Sequence, residues 1–564
     1  MKRNLNAQAV LETDRPISEK KLSGIGDFLG LYGGEHIAAT EFVFGATMVT
    51  WGCSAKMILL GLFIGNILAT LSFTFTCAVM ATRTRLTLYS YLKKILGPYA
   101  QKFYTVVWAL ASTLLAASGI SVSGSALKEI VGIGVQQEWY PTSLGFIAIV
   151  VILGVVVTFV AANGFQACAK FGSTCVPWMI LIFFVGALVS LPQIANATGA
   201  SVSSLSDVWA LFDNNVGIKS GMSTGDFGIG HIICFAWANN LAWHMGLNDM
   251  GLFRFAKNYK YGYISAVGMF IGHFFAWTMA AFMGTTAASV LKITMAQLDP
   301  GLTTNTVLGA TGLCAVVVAG WTTANPTIYR CALSVNSFLP KLSHKQSTYL
   351  VGILMTVLAC FPMVQNIPYI ALLLCWVTVA VGAMCVVEEL LFPRIGYTKY
   401  WSMYKEQNIN IPAIITWVVS ILFVVTMLTT GLLDRYYIFM PAWIISAVLY
   451  TVLAGIFGAK GDYRKEEEEE AKFQKDLKEL VDKKADEELE NAGTEEKQNS
   501  LIKILKAVSY AVLAVLLLIS VMNFTGNMEL GVFKNLSFIL TILYFIMNGT
   551  TTFISFRNQK VVIQ

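Results

Sequence analysis

Phe235-Ala236-Trp237-Ala238-Asn239-Asn240-Leu241-Ala242-Trp243-His244 interrupts an apolar segment near the middle of the chain with two adjacent amides and a histidine. The first apolar segment is broken in the same manner at Gly33-Gly34-Glu35-His36-Ile37-Ala38-Ala39-Thr40-Glu41. Carboxylates, imidazoles and paired amides are costly against lipid, so such groups turn towards a cavity or the interior of a helix bundle. Two interrupted hydrophobic helices at corresponding places in two halves of a chain mark a solute site near the bilayer midplane. The two breaks are therefore where a membrane transporter of this sequence is expected to hold its cargo.

The rest of the sequence agrees with a membrane setting. Of 564 residues, 56% are hydrophobic and only 13% charged. Windows of about 20 apolar residues, each able to cross about 30 Å of hydrocarbon as a helix, recur along the chain. They fall at 27–50, 57–80, 104–127, 143–163, 171–191, 228–248, 262–289, 305–328, 347–364, 367–388, 411–432, 439–458, 504–523 and 535–555. The alternating pattern of a membrane barrel is absent, so these fourteen windows are expected to be helices. The expected fold is an all-α polytopic membrane protein.

Basic residues in short loops set the orientation. Arg83, Arg85, Lys93 and Lys94 follow the second window, and Arg254, Lys257 and Lys260 the sixth. Arg330, Lys341 and Lys345 are assigned to the loop after the eighth, and Arg394, Lys399 and Lys405 to that after the tenth. The intervening loops are poor in both residues, so even-numbered spans end in the cytoplasm, with both termini there. The first 26 residues are polar and basic without a secretory apolar core, and read as a cytoplasmic arm of a plasma-membrane protein. The expected organisation is an arm at 1–26, a transport core at 27–388, spans eleven and twelve within 389–458, a charged cytoplasmic linker at 459–500, and spans thirteen and fourteen with a tail at 501–564.

The net charge of +6 hides two parts, because Lys460 to Ser500 carries nine basic and fifteen acidic residues. The remaining +12 matches positive-inside loops and calls for no nucleic-acid partner. The acidic stretch, with Glu466 to Glu470, suits a solvated helix with i,i+4 pairs; it reads as a charged linker, with a regulatory or partner-binding helix as the alternative. The ten cysteines are scattered, mostly in apolar windows, without metal-ligand spacing. No phosphate-binding GxxxxGK[ST] loop is present, so uphill transport would draw on an ion gradient. No nucleophile–base pair or metal motif points to an enzyme, and no cofactor is expected beyond a coupling ion.

Trp321-Thr322-Thr323-Ala324-Asn325-Pro326-Thr327-Ile328-Tyr329 resembles the eighth-helix signature of the nucleobase–cation symporter-1 family, the purine/cytosine permeases. Arg254-Phe255-Ala256-Lys257-Asn258 after Asn248-Asp249 is similar to that family's loop after the sixth helix. Gly65-Asn66 with Arg85-Leu86-Thr87-Leu88-Tyr89-Ser90-Tyr91 resembles its second helix and the amphipathic stretch that follows, and Glu388-Glu389-Leu390-Leu391-Phe392 an acidic-aromatic motif ending its tenth. The resemblance runs from about residue 20 to 458 and implies a five-plus-five inverted-repeat, leucine-transporter-like core with helices one and six unwound at mid-membrane. Spans thirteen and fourteen are additional to it. It further implies alternating access with cation-coupled symport, by Na+ or H+, of a nucleobase or related small nitrogenous heterocycle.

The resemblance also implies sites. A sodium site is expected from the Thr322 and Thr323 hydroxyls and the Ala319 carbonyl, with the carbonyls of Glu35 and Ala38 from the broken first helix. The alternative is that the threonines merely bond their own i−4 carbonyls. Substrate contacts are expected from Asn239 and Asn240, whose amides offer donor and acceptor to a heterocycle edge; interhelical bonding is their structural alternative. Trp237 and Trp243 lie near enough to stack on a planar ligand. Ala39 and Asn325 complete the set with Glu35 and Glu41, whose carboxylates also suit a cationic substrate or proton exchange. Ser118 and Gly119 of the third helix are expected at the substrate too, a departure from the family, which usually places an aromatic there. His231, His273 and His344 read as structural. The runner-up function is symport of a cationic or zwitterionic amine or amino acid, and a third reading is a transporter-derived receptor or scaffold. The partners expected are a small-molecule substrate and the lipid bilayer; the oligomeric state stays open.

Overall fold

The computed structural model describes residues 6–11, 14–38, 40–216, 227–492 and 500–558. They form helices throughout, with one isolated bridge between Ser23 and Ala256. Ten helices among them are long and apolar enough to cross a membrane. The fold is the five-plus-five inverted repeat of the leucine-transporter class, followed by four further spans.

Each of the fourteen windows holds a helix. The first repeat runs through Ile25–His36 and Thr40–Thr50 (span one, broken), Ala55–Thr84, Pro98–Ile130, Leu144–Ala161 and Phe165–Thr198. The second runs through Ile229–Ala238 and Met250–Phe253 (span six, broken), Tyr259–Leu291, Ala310–Phe338, His344–Ala359 and Ile367–Arg394. Ile411–Thr430, Phe439–Phe457, Ser500–Phe524 and Leu530–Asn558 follow. The local signals are ordinary helix punctuation. The Ser54 and Ser143 hydroxyls accept from Met57 and Phe146 amides at helix starts. Pro98 opens the third span, and Gly431, at φ +66°, closes the eleventh.

Small residues bring the broken helices against their neighbours. A Cβ on Gly34 would stand 2.9 Å from Gly172 Cα of span five, and one on Gly65 would stand 2.6 Å from the Ile233 carbonyl of span six. Gly268 and Gly272 of span seven admit His36 to van der Waals contact. Span seven is wound as a π-helix over Gly268–Ala276, so the Trp277 amide reaches back five residues to the Gly272 carbonyl.

One expectation is corrected by the fold. Arg330 does not sit in a loop after span eight. The helix continues to Phe338 and Arg330 is buried inside it, so its charge belongs to the bundle interior and not to the positive-inside count. Arg464–Ala492 is a helix that grips the N-terminal arm, with Lys20 to Asp486 at 2.5 Å, Lys21 to Glu488, and the Ser18 hydroxyl donating to Asp482 at 2.6 Å. The same end of the bundle is tied across the repeats. The Arg85 guanidinium donates to the carbonyls of Arg254, Ala256 and Lys257, and Glu389 accepts from Tyr91 at 2.9 Å and Lys399 at 2.9 Å.

Spans thirteen and fourteen pack as a hairpin on spans five and eight. The Tyr544 hydroxyl and the Asn548 amide both donate to the Thr174 carbonyl, at 2.8 and 3.0 Å. Trp178 Nε1 donates to Thr541 at 3.2 Å, and Thr311 pairs with Ser537 at 2.8 Å.

Candidate functional site

Both breaks fall where the polar runs predict. Span one leaves helical geometry after His36 and resumes at Thr40. Ala39 lies outside the described residues. Span six ends at Ala238, and the chain passes through turns from Asn239 to Gly246 before a left-handed Leu247, at φ +64°. A cavity of about 570 Å³, including its open side, lies between the breaks. Glu35, Glu41, Asn239, Asn240, Trp243 and Thr323 of the expected set line it. His273 of span seven joins them, and Leu115 represents span three.

The remaining expected residues lie off the cavity wall. The Ser118 hydroxyl is buried and donates to the Leu115 carbonyl at 2.7 Å, while Gly119 packs span three on span eight near the Gly320 carbonyl. Trp237 Nε1 donates to Ser72 at 3.2 Å and its ring meets Phe439 edge-on. Asn325 is fully buried, and neither polar atom of its amide has a partner among the described residues.

Oxygens of spans one and eight converge beside the cavity. Thr323 Oγ1 lies 3.1 Å from the Glu35 carbonyl and 3.1 Å from the Ala319 carbonyl, and Thr322 Oγ1 lies 3.0 Å from the latter. The geometry brings together the donors of Glu35, Ala319, Thr322 and Thr323. The fifth expected donor, the Ala38 carbonyl, accepts the Glu41 amide at 3.2 Å. Hard cations of sodium's kind are bound by such clusters of neutral oxygens, and at the end of a broken helix the freed carbonyls supply them. The contact to Glu35 crosses between helices, which self-bonding of the threonines alone does not explain.

The Glu35 side chain has a different occupation. Arg330 Nη1 and Nη2 grip its two oxygens at 2.6 and 2.7 Å. Arg330 Nε and Nη2 also reach Asp249 Oδ1, at 2.8 and 2.7 Å, and the Tyr32 hydroxyl donates to Asp249 Oδ2 at 2.6 Å. The guanidinium lies 4.5 Å from the centre of the Trp243 ring, and Trp108 meets that ring edge-on at 5.4 Å. One buried arginine thus joins both broken helices to span eight, through a bidentate pair of the kind guanidinium geometry favours. Sequence reasoning missed this partnership. The signal was present in two acids, Glu35 and Asp249, placed at the two breaks and needing a cation.

His273 is the second residue the sequence left unassigned to the site. Asn240 Nδ2 donates to its Nδ1 at 2.6 Å, which fixes the ring N–H on Nε2. Nε2 faces Glu41 Oε1 at 3.7 Å, beyond hydrogen-bond length. His36 stands beside it, ring centres 4.9 Å apart, with Nδ1 2.9 Å from the Tyr32 carbonyl. The π-helical turn and Gly268 and Gly272 permit this approach. By contrast His231 and His344 act at helix starts, on the Gly228 amide and Asn336.

No protein-family model and no curated protein matches the sequence. Solved structures match the fold. One is Mhp1, a nucleobase-cation-symport-1 family transporter, in a closed conformation with bromovinylhydantoin bound; identity is 13%, with 83% of this chain and 99% of that chain covered at a TM-score of 0.63. The inward-facing conformation of Mhp1 matches at 15% identity, covering 79% and 94% of the two chains, with a TM-score of 0.59. A Na+-coupled sialic acid symporter in a substrate-bound outward-open state matches at 12% identity, covering 77% and 90%, with a TM-score of 0.53.

Proposed function

We propose that this integral membrane protein is a secondary active transporter that couples the movement of a cation, sodium first and the proton second, to symport of a small nitrogenous solute related to the nucleobases. The observation that carries the reading is the shared wall of the two candidate sites. Thr323 bonds the Glu35 carbonyl at the break, and both residues line the cavity, so a cation held there would brace the solute site. Asn239 and Asn240 present amides for a heterocycle edge, and Trp243 presents an aromatic wall. The likeness in fold to a nucleobase–cation symporter and to a Na+-coupled symporter supports coupling to a cation gradient. The basic loops and the arm gather at one end of the bundle, which supports cytoplasmic termini in a plasma-membrane protein.

The test is uptake into proteoliposomes of labelled nitrogen heterocycles, both neutral (uracil, cytosine, hypoxanthine) and basic (imidazoles and aminopyridines), driven in turn by an inward sodium and an inward proton gradient. Uptake of at least one above protein-free vesicles, abolished when both gradients are removed, is the expected result. Gradient-independent equilibration would refute symport.

A further inference from the structure

We infer that the transported solute carries a net positive charge and that Glu41 is its counter-ion. The inference rests on the transport reading above and names the charge class of its solute. Three carboxylates stand at the two breaks, Glu35, Asp249 and Glu41, and Arg330 is the one guanidinium among them. Arg330 is committed to Glu35 and Asp249. A coupling cation on the Thr323, Ala319 and Glu35 oxygens would sit next to that pair and balance its remaining charge. Glu41 is left over.

Its surroundings supply no cation. Glu41 is 2% exposed, its Oε2 has no partner among the described residues, and its Oε1 is 3.7 Å from His273. No lysine or arginine lines the cavity among those residues. His273 Nδ1 stands 2.6 Å from the Asn240 amide nitrogen and the His36 ring crowds it, so an imidazolium charge there would meet the amide hydrogens and its neighbour. A buried carboxylate without an ion-pair partner is expensive unless a cation arrives to pair with it. The cavity has the remaining features of a cation site. Phe44 and Trp243 line it, and aromatic rings attract ammonium and amidinium groups; the Trp243 ring already carries the Arg330 guanidinium at 4.5 Å. An anionic solute would add a second unpaired charge beside Glu41. The class selected is a small organic monocation with N–H groups, such as an amidinium, a primary amine or a protonated nitrogen heterocycle.

The experiment uses matched pairs that differ in charge and hardly in shape, acetamidinium against acetamide and benzamidinium against benzamide. Their binding to the purified protein in nanodiscs is read by thermal stabilisation, in sodium chloride and in potassium chloride. The expected result is at least about tenfold tighter binding of each cation than of its neutral partner, with the preference lost in Glu41→Gln and kept in Glu41→Asp. Equal or tighter binding of the amides overturns the inference, as does a cation preference that survives Glu41→Gln. Silence of every cation overturns it too, because acetamidinium is small enough to enter this cavity whatever the full solute; Glu41 would then be a proton site. A missing difference between sodium and potassium counts against the sodium site alone, and leaves the charge preference to be read on its own.

Discussion

Replacing Arg330 by methionine removes the cation that two buried carboxylates share. Glu35 loses bonds at 2.6 and 2.7 Å, and Asp249 loses bonds at 2.8 and 2.7 Å. Asp249 keeps the Tyr32 hydroxyl at 2.6 Å, whereas the Glu35 carboxylate has no second bond among the described residues. Removing one member of a buried ion pair costs about 3–5 kcal/mol, chiefly because the other charge stays behind. With two acids abandoned, Arg330→Met should fall in the upper part of that range. Glu35→Gln keeps the shape and leaves Arg330 its Asp249 partner, so about 1–3 kcal/mol is expected. The double variant removes one abandoned charge, and its cost should be less than the sum of the singles by at least about 1 kcal/mol. Arg330→Lys should be intermediate, since a single ammonium cannot grip Glu35 with two parallel bonds and reach Asp249 as well. The assay is unfolding in mixed micelles on adding sodium dodecyl sulfate, followed by tryptophan fluorescence, with the four proteins forming a cycle. Additive single and double variants, or an Arg330→Met protein within about 1 kcal/mol of the parent, would refute the account of Arg330 as the shared counter-charge.

Thr323→Ala should weaken sodium affinity at least about tenfold, or ~1.4 kcal/mol, and Thr322→Ala should do less, because only Thr323 reaches the Glu35 carbonyl; sodium titration of thermal stability measures both. Asn240→Ala deletes a cavity amide and the donor that orients His273, and should raise the transport constant several-fold, for a loss of about 1–3 kcal/mol; unchanged kinetics at normal expression would make Asn240 a structural amide. The bonds between the arm and the acidic helix are exposed pairs worth about 0–1 kcal/mol each and open to screening. Amide exchange over residues 18–21 should therefore accelerate on raising salt to about 1 M, where the Debye length is about 3 Å, and lose most of that sensitivity when Asp482, Asp486 and Glu488 are made amides.

What the sequence disclosed follows from the cost of polar groups in lipid. Asn239-Asn240 and Glu35-His36 stood out because an apolar helix has no other use for them, and that located both breaks; the inverted repeat came with the family resemblance. Arg330 was misread for the complementary reason. A lone arginine just past an apolar window has the signature of a loop, and only the neighbouring acids reveal that the helix carries it inward. His273 gave less to read. One imidazole in a hydrophobic window does not declare which way it faces, and a π-helical turn alters the register on which any periodicity argument depends. In span three Ser118 and Gly119 were expected at the substrate, but which residue faces the cavity was decided by the rotation of that helix, and Leu115 took the place. The acidic segment disclosed its helix through its charge pattern. Its partner was concealed, since Lys20 and Lys21 lie at the far end of the chain.

That separation orders the making of the molecule. Lys20 and Asp486 are 466 residues apart. At about 5–20 residues per second, a ribosome delivers the acidic helix roughly 20–90 seconds after the arm. Spans one to twelve are synthesised in that interval, so the arm waits unlatched while they insert. The latch can close only on a chain whose core has already been threaded, and the last hairpin then arrives to pack on spans five and eight. A protein truncated after span twelve would therefore lose the hold on Ser18, Lys20 and Lys21 while keeping the arm's ties to the core, Asp14 to Lys93 and the Ile17 amide to the Arg85 carbonyl.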